Sequence, residues 1–101
     1  MKVMKYYRDE QRYINTYTMS ILLYLLEHNG REIGFRGMVA RMRIGSATLR
    51  KYMNELIHAG LVREEFIGNT SVFTLTDKGL RIAEKIKDLL DEVGEKAEGR
   101  D

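Results

Sequence analysis

Apolar residues recur along most of the chain at the three-and-four spacing of a helix, broken by short polar and glycine-bearing links. Over residues 17–27, Ile21, Leu22, Leu25 and Leu26 share one side and predict a first helix. Its start is expected at a cap such as Asn15 or Thr16, or as far back as Asp9. "HNG" ends it, with His28 in the last turn and Gly30 suited to a left-handed cap. "REIGF" reads as an extended link, and Met38, Val39 and Met42 in "RGMVARM" give a second helix of about two turns. "RIG" breaks the period. Ser46 is then expected to cap a third helix over residues 46–58, with Leu49, Met53, Leu56 and Ile57 buried and Gly60 as its stop.

The period changes to that of strands in "LVREEFI" and "SVFTLT", and the Gly/Asn turn "GNT" between them predicts a β-hairpin. Asp77 opens a last helix, from Lys78 to about Val93, in which Ile82, Ile86, Leu89 and Val93 form a narrow seam with Ala83 and Leu90 beside it. The expected fold is mainly α with one β-hairpin. Residues 1–16 form an arm or helix extension, 17–76 the domain proper, 77–93 an added helix, and 94–101 a mobile tail.

The chain has 101 residues, enough for one modest core. It is 44% hydrophobic and 32% charged, the composition of a globular domain. The N-terminus lacks the apolar run of a signal peptide, and the most apolar stretch, residues 19–26, is too short to span a membrane. A cytoplasmic protein without membrane attachment is expected. There is no cysteine, which excludes disulfides, thiolate metal sites and cysteine nucleophiles. The absence of proline, the single glutamine and the excess of Glu, Lys and Arg resemble thermophile usage.

The net charge of +2 conceals an uneven distribution. Residues 31–63 hold seven Lys/Arg against two acids, whereas residues 64–101 hold six against ten. One basic face is the footprint of a polyanion-binding surface, and the third helix lies within it. With its apolar stripe turned inward, that helix presents Ser46, Ala47, Arg50, Lys51 and Asn54. Arg50 suits a bidentate pair to guanine and Asn54 a pair to adenine, while Ser46 and Thr48 suit phosphate or the thymine methyl. Lys51, Arg41 and Arg43 suit phosphates, which supply affinity rather than sequence choice, and Arg36 is a further DNA-binding candidate. Each cation taken singly reads equally well as part of a solvated helix face; their clustering carries the expectation.

The order helix, short strand, helix, turn, helix, hairpin, helix is that of a winged helix-turn-helix. "MVARMRIGSATLRKYMNELIHAGLVREEF" and "VFTLTDKG" resemble the winged-helix transcriptional regulators of the MarR, ArsR and PadR type, over about residues 18–93. The most telling parts are Val39-Ala40, Ile44, Thr48-Leu49, the "ELIHAGLV" exit and "LTDKGL". The resemblance implies that helix 46–58 enters the DNA major groove with its N-terminal half nearest the bases. The hairpin departs from the family pattern. Its tip, Gly68-Asn69-Thr70-Ser71, has no Arg or Lys, Glu64 and Glu65 lie nearby, and Arg63 at the base is the sole candidate cation. Such a wing is expected to touch phosphate through Asn69 and Thr70, or nothing.

The last helix is expected to pair with a second copy through Ile82, Ile86, Leu89, Leu90 and Val93, helped by Tyr13 and Tyr17. In outline this is similar to small archaeal winged-helix proteins with a terminal dimerising helix. The alternative is that Ile82 and Ile86 pack on the first helix of their own chain. Five of the six tyrosines precede residue 25. They are read as packing residues joining the N-terminal segment to the last helix, in preference to the lining of a small-molecule effector pocket.

No phosphate-cradling glycine loop, nucleophile elbow or His/Asp/Glu cluster at metal spacing is present. His28 and His58 each precede a helix-ending glycine by two residues and read as last-turn residues. No enzyme, cofactor or metal site is expected. The reading is a homodimeric, sequence-specific regulator of double-stranded DNA, from a thermophilic prokaryote, an archaeon or its virus. The rivals are a winged-helix protein-interaction module and a non-specific architectural chromatin protein.

Overall fold

The computed structural model describes residues 13–29 and 31–99, with residues 95–99 as backbone only. Residues 1–12 of the expected arm, with Tyr6 and Tyr7, the cap at Gly30 and the last two residues lie outside the described residues. The elements are α1 (Thr16–Glu27), β1 (Ile33–Gly34), α2 (Phe35–Met42), α3 (Ser46–His58), β2 (Val62–Ile67), β3 (Thr70–Leu75) and α4 (Asp77–Gly99). The three strands form an antiparallel sheet in the order β1-β3-β2.

α1 starts at Asn15 because a reciprocal cap fixes it there. The Asn15 side chain accepts from the Thr18 amide at 3.0 Å, and the Thr18 hydroxyl accepts from the Asn15 amide at 2.9 Å. Thr18 is fully buried, so these bonds also satisfy a hydroxyl that would otherwise be stranded in the core. α2 begins one residue earlier than the "RGMVARM" pattern indicates, because Gly34 pairs with Val72 as strand and Phe35 is already helical.

Arg43, at the C-cap of α2 with φ +57, makes the sharp turn into α3 in a left-handed conformation that side chains seldom adopt. Ser46 does not cap α3: Gly45 is the N-cap and makes no side-chain bond, while Ser46 is the first helical residue. α3 ends as expected at Gly60, φ +79, in a paired motif. The Gly60 amide donates to Ile57 at 3.0 Å and the Leu61 amide to Leu56 at 2.9 Å.

The hairpin turn needs only two residues, Gly68 and Asn69, between Ile67 and its partner Thr70. Gly68 has φ +64 and Asn69 is not left-handed, the arrangement of a type II′ turn. Thr76 then docks α4 onto the end of α3. Its hydroxyl donates to the Gly60 carbonyl at 2.6 Å and accepts from the Gly79 amide at 3.0 Å, and its own amide donates to Leu61 at 3.1 Å. α4 continues to Gly99 instead of ending near Val93.

The core joins Ile21, Leu22 and Leu25 of α1 to Met38, to Leu49, Met53 and Leu56 of α3, to Phe73 of β3, and to Ala83 and Ile86 of α4. Ile82 packs against the same cluster. The expected seam on α4 is therefore divided. Ile82 and Ile86 belong to their own chain's core, because α4 lies along α1, whereas Leu89, Leu90 and Val93 are 59%, 47% and 56% exposed.

Candidate nucleic-acid interface

Burial of Leu49, Met53 and Leu56 fixes the rotation of α3, since three residues at helical spacing can enter one core only in one orientation. The opposite side then exposes Ser46, Ala47, Lys51 and Asn54, and Thr48 is half-buried beside it. Four of the residues expected on a reading face thus stand together. Arg36 in the first turn of α2, Arg41 in its last turn and Arg43 at its C-cap are all exposed, and none is in an ion pair among the described residues.

Arg50 does not stand free on that face, which corrects the expectation of an open cation there. Its guanidinium makes a two-pronged ion pair with Glu64 of β2, Nη1 to Oε1 at 3.1 Å and Nη2 to Oε2 at 3.2 Å. It also lies 4.9 Å from the ring centre of Phe35 and 5.4 Å from that of Phe73. The same Nη1 donates to the Asn54 side-chain oxygen at 3.4 Å.

The Arg50 bond holds the Glu64 carboxyl below its ordinary value of 4.5. Partial burial works against this, while a Ser71 side-chain hydrogen bond and the Arg50 charge add to it. Sequence reasoning missed Glu64. The available signal was strand alternation: Val62 is buried, so Glu64 shares its face and an inward carboxylate there requires a cation.

The α3-facing side of the hairpin, the start of α2 and Arg50 enclose an open cleft of about 630 Å³, lined among others by Arg36, Asn69, Thr70 and Ser71. Asn69 and Thr70 are exposed at its rim. Arg63, exposed at the base of the hairpin, approaches Glu65 only loosely, at 3.9 Å. Sequence reasoning also passed over Phe66 and Ile67, 73% and 48% exposed beside the tip.

Of the five early tyrosines, Tyr13, Tyr17 and Tyr24 are described, and each makes a ring contact with α3 or with the end of α1. Tyr17 stacks on Tyr52 of α3 at 4.7 Å and 9°, Tyr13 lies 6.3 Å from the ring of His58, and Tyr24 stacks on His28 at 4.3 Å. Lys51 extends over the other member of that stack, 5.1 Å from the Tyr52 ring centre. His28 is accounted for locally, its Nδ1 lying 2.8 Å from the Tyr24 carbonyl. Among the described residues no three His, Asp or Glu side chains gather as metal ligands, and no helix is long and apolar enough to cross a membrane.

No family model and no curated protein matches the sequence. Solved structures do match the fold. MepR, a transcription regulator of the Staphylococcus aureus multidrug efflux pump MepA, aligns with a TM-score of 0.80 at 17% identity, over 90% of this chain and 68% of its own. The chain has the winged-helix fold. A second winged helix, AF1382 from Archaeoglobus fulgidus, aligns with a TM-score of 0.72 at 20% identity, over 84% of this chain and 97% of its own. MepR of S. aureus in complex with DNA aligns with a TM-score of 0.75 at 17% identity, over 90% of this chain and 76% of its own. In that fold α3 is the second helix of the helix-turn-helix and β2–β3 the wing.

Proposed function

We propose that this winged helix is a DNA-binding transcriptional regulator that places α3 in the major groove. The observation that carries the reading is the exposed polar face of α3, Ser46, Ala47, Lys51 and Asn54, flanked by Arg36, Arg41 and Arg43, which are in no ion pair among the described residues. The likeness to a regulator solved in complex with DNA supports the same reading. Lys51, Arg36, Arg41 and Arg43 take phosphates, Asn54 takes a base edge, and Ser46, Ala47 and Thr48 take the adjoining phosphate or thymine methyl. Asn69 and Thr70 reach the backbone from the wing, with Arg63 behind them.

The regulator acts as a homodimer through the exposed strip Leu89, Leu90 and Val93, which leaves the two recognition helices free for successive half-sites. A second reading, a protein-interaction module, draws on Phe66 and Ile67, an apolar pair exposed on a wing with no cation at its tip.

The test is a binding titration of the purified chain against random-sequence duplex DNA over a series of salt concentrations. Affinity is expected to fall linearly on logarithmic axes. Lys51→Ala, Arg41→Ala and Arg43→Ala should each lower the slope by about one, while Asn54→Ala leaves it unchanged and alters sequence preference. Absence of binding at low salt overturns the DNA reading in favour of protein docking.

A further inference from the structure

We infer that Arg50 is a positioning residue, not a reader of bases: together with Glu64 it locks the wing to the recognition helix and sets the orientation of the Asn54 amide. The inference rests on the DNA-binding reading for its functional consequence, and on geometry alone for the lock itself.

Arg50 belongs to α3 but touches three further elements. It pairs with Glu64 on β2 and lies over Phe35 of α2 and Phe73 of β3, the latter fully buried. Phe73 is on the second strand of the wing, as Glu64 is on the first. One guanidinium therefore ties both wing strands to α3. The planar fork of Arg matches both carboxylate oxygens at once, and an ammonium cannot reproduce that match.

The second consequence concerns Asn54. An amide can be turned either way, but a guanidinium has donors only, so the group facing Arg50 must be the Asn54 oxygen. Asn54 is exposed, and its NH2 is then the end left for a base edge. Free rotation of that amide would offer a base edge a donor or an acceptor indifferently, and the lock removes the ambiguity. Glu64, which faces inward beneath the wing, then influences sequence preference without touching DNA.

The experiment compares Glu64→Gln, Arg50→Lys and the double variant, each full-length, with folding checked by circular dichroism. In two-dimensional NMR of the free protein, both single variants should shift the Gly68 and Asn69 backbone amides and the Asn54 side-chain amide in the same way, and the double variant should add nothing. On DNA both should lose about tenfold in preference at the base position that Asn54→Ala also affects. Arg50→Lys should keep the wild-type salt slope because it keeps the charge.

The inference is overturned if Glu64→Gln leaves those three resonances in place. It is equally overturned if Arg50→Lys changes preference at a base position that Glu64→Gln leaves untouched, because Arg50 would then be reading that base itself. Failure of all proteins to bind duplex DNA removes the DNA-binding reading, and the NMR comparison still decides whether the lock exists.

Discussion

A Cβ placed on Gly79 would collide with the backbone carbonyl of Leu61, which has no rotamer to retreat into. That contact is where α4 leaves the sheet and lies against the end of α3, and Thr76 bonds both sides of it. Gly79→Ala should therefore cost about 3 kcal/mol of unfolding free energy, measured by denaturant titration. Gly37→Ala is the matched control. Nothing lies within 4 Å of its Cβ position, so the change should be neutral or stabilise the helix by about 0.5 kcal/mol. Equal losses from the two substitutions would contradict the close-packing explanation. "LTDKGL" was recognisable in the sequence as a mark of the fold, but the reason for its threonine and glycine was not, because their partners, Gly60 and Leu61, belong to the preceding helix exit.

At the level of elements, the helices and the hairpin were legible because each carries its own period and stop signal, Gly60 and Gly68 above all. The end of α4 was not. Gly94 and a charged run resemble a terminus, yet a glycine in a helix costs only about 1 kcal/mol and the residues around it are good helix formers. The lock between α3 and the wing was equally hidden, since fourteen positions separate Arg50 from Glu64. It predicts a pH dependence. The folded state depresses the Glu64 pKa, so its stabilisation is complete above the ordinary value of 4.5 and is lost as pH falls below it. The pair is partly exposed, and the loss should be modest, about 1 kcal/mol or less. Protection factors of the wing amides, taken against the intrinsic exchange rate at each pH, should fall on acidification in the wild type, and Glu64→Gln should abolish that fall. An unchanged dependence in the variant would assign it to other carboxylates.

The molecule as a whole places the cations of the proposed reading face and the exposed apolar strip of α4 on different elements. Arg36, Arg41, Arg43 and Lys51 lie on α2, α3 and the turn between them, while Leu89, Leu90 and Val93 lie on the distal half of α4. The α4 seam is split in a way that sequence periodicity alone does not separate: Ile82 and Ile86 continue the same stripe but belong to the core of their own chain, where α4 lies along α1. What remains exposed is a short strip, proposed above to meet a second copy, on a different element from the proposed reading face. Selection of bound sequences from a random duplex library, with sequencing of the retained fraction, tests both halves of this arrangement together. The wild-type chain should enrich a two-fold motif with half-sites about one helical turn apart, and Leu89→Glu combined with Val93→Glu should weaken retention and remove the two-fold symmetry. Retention without any enriched motif would contradict sequence-specific reading by α3, and no retention at low salt would contradict DNA binding altogether.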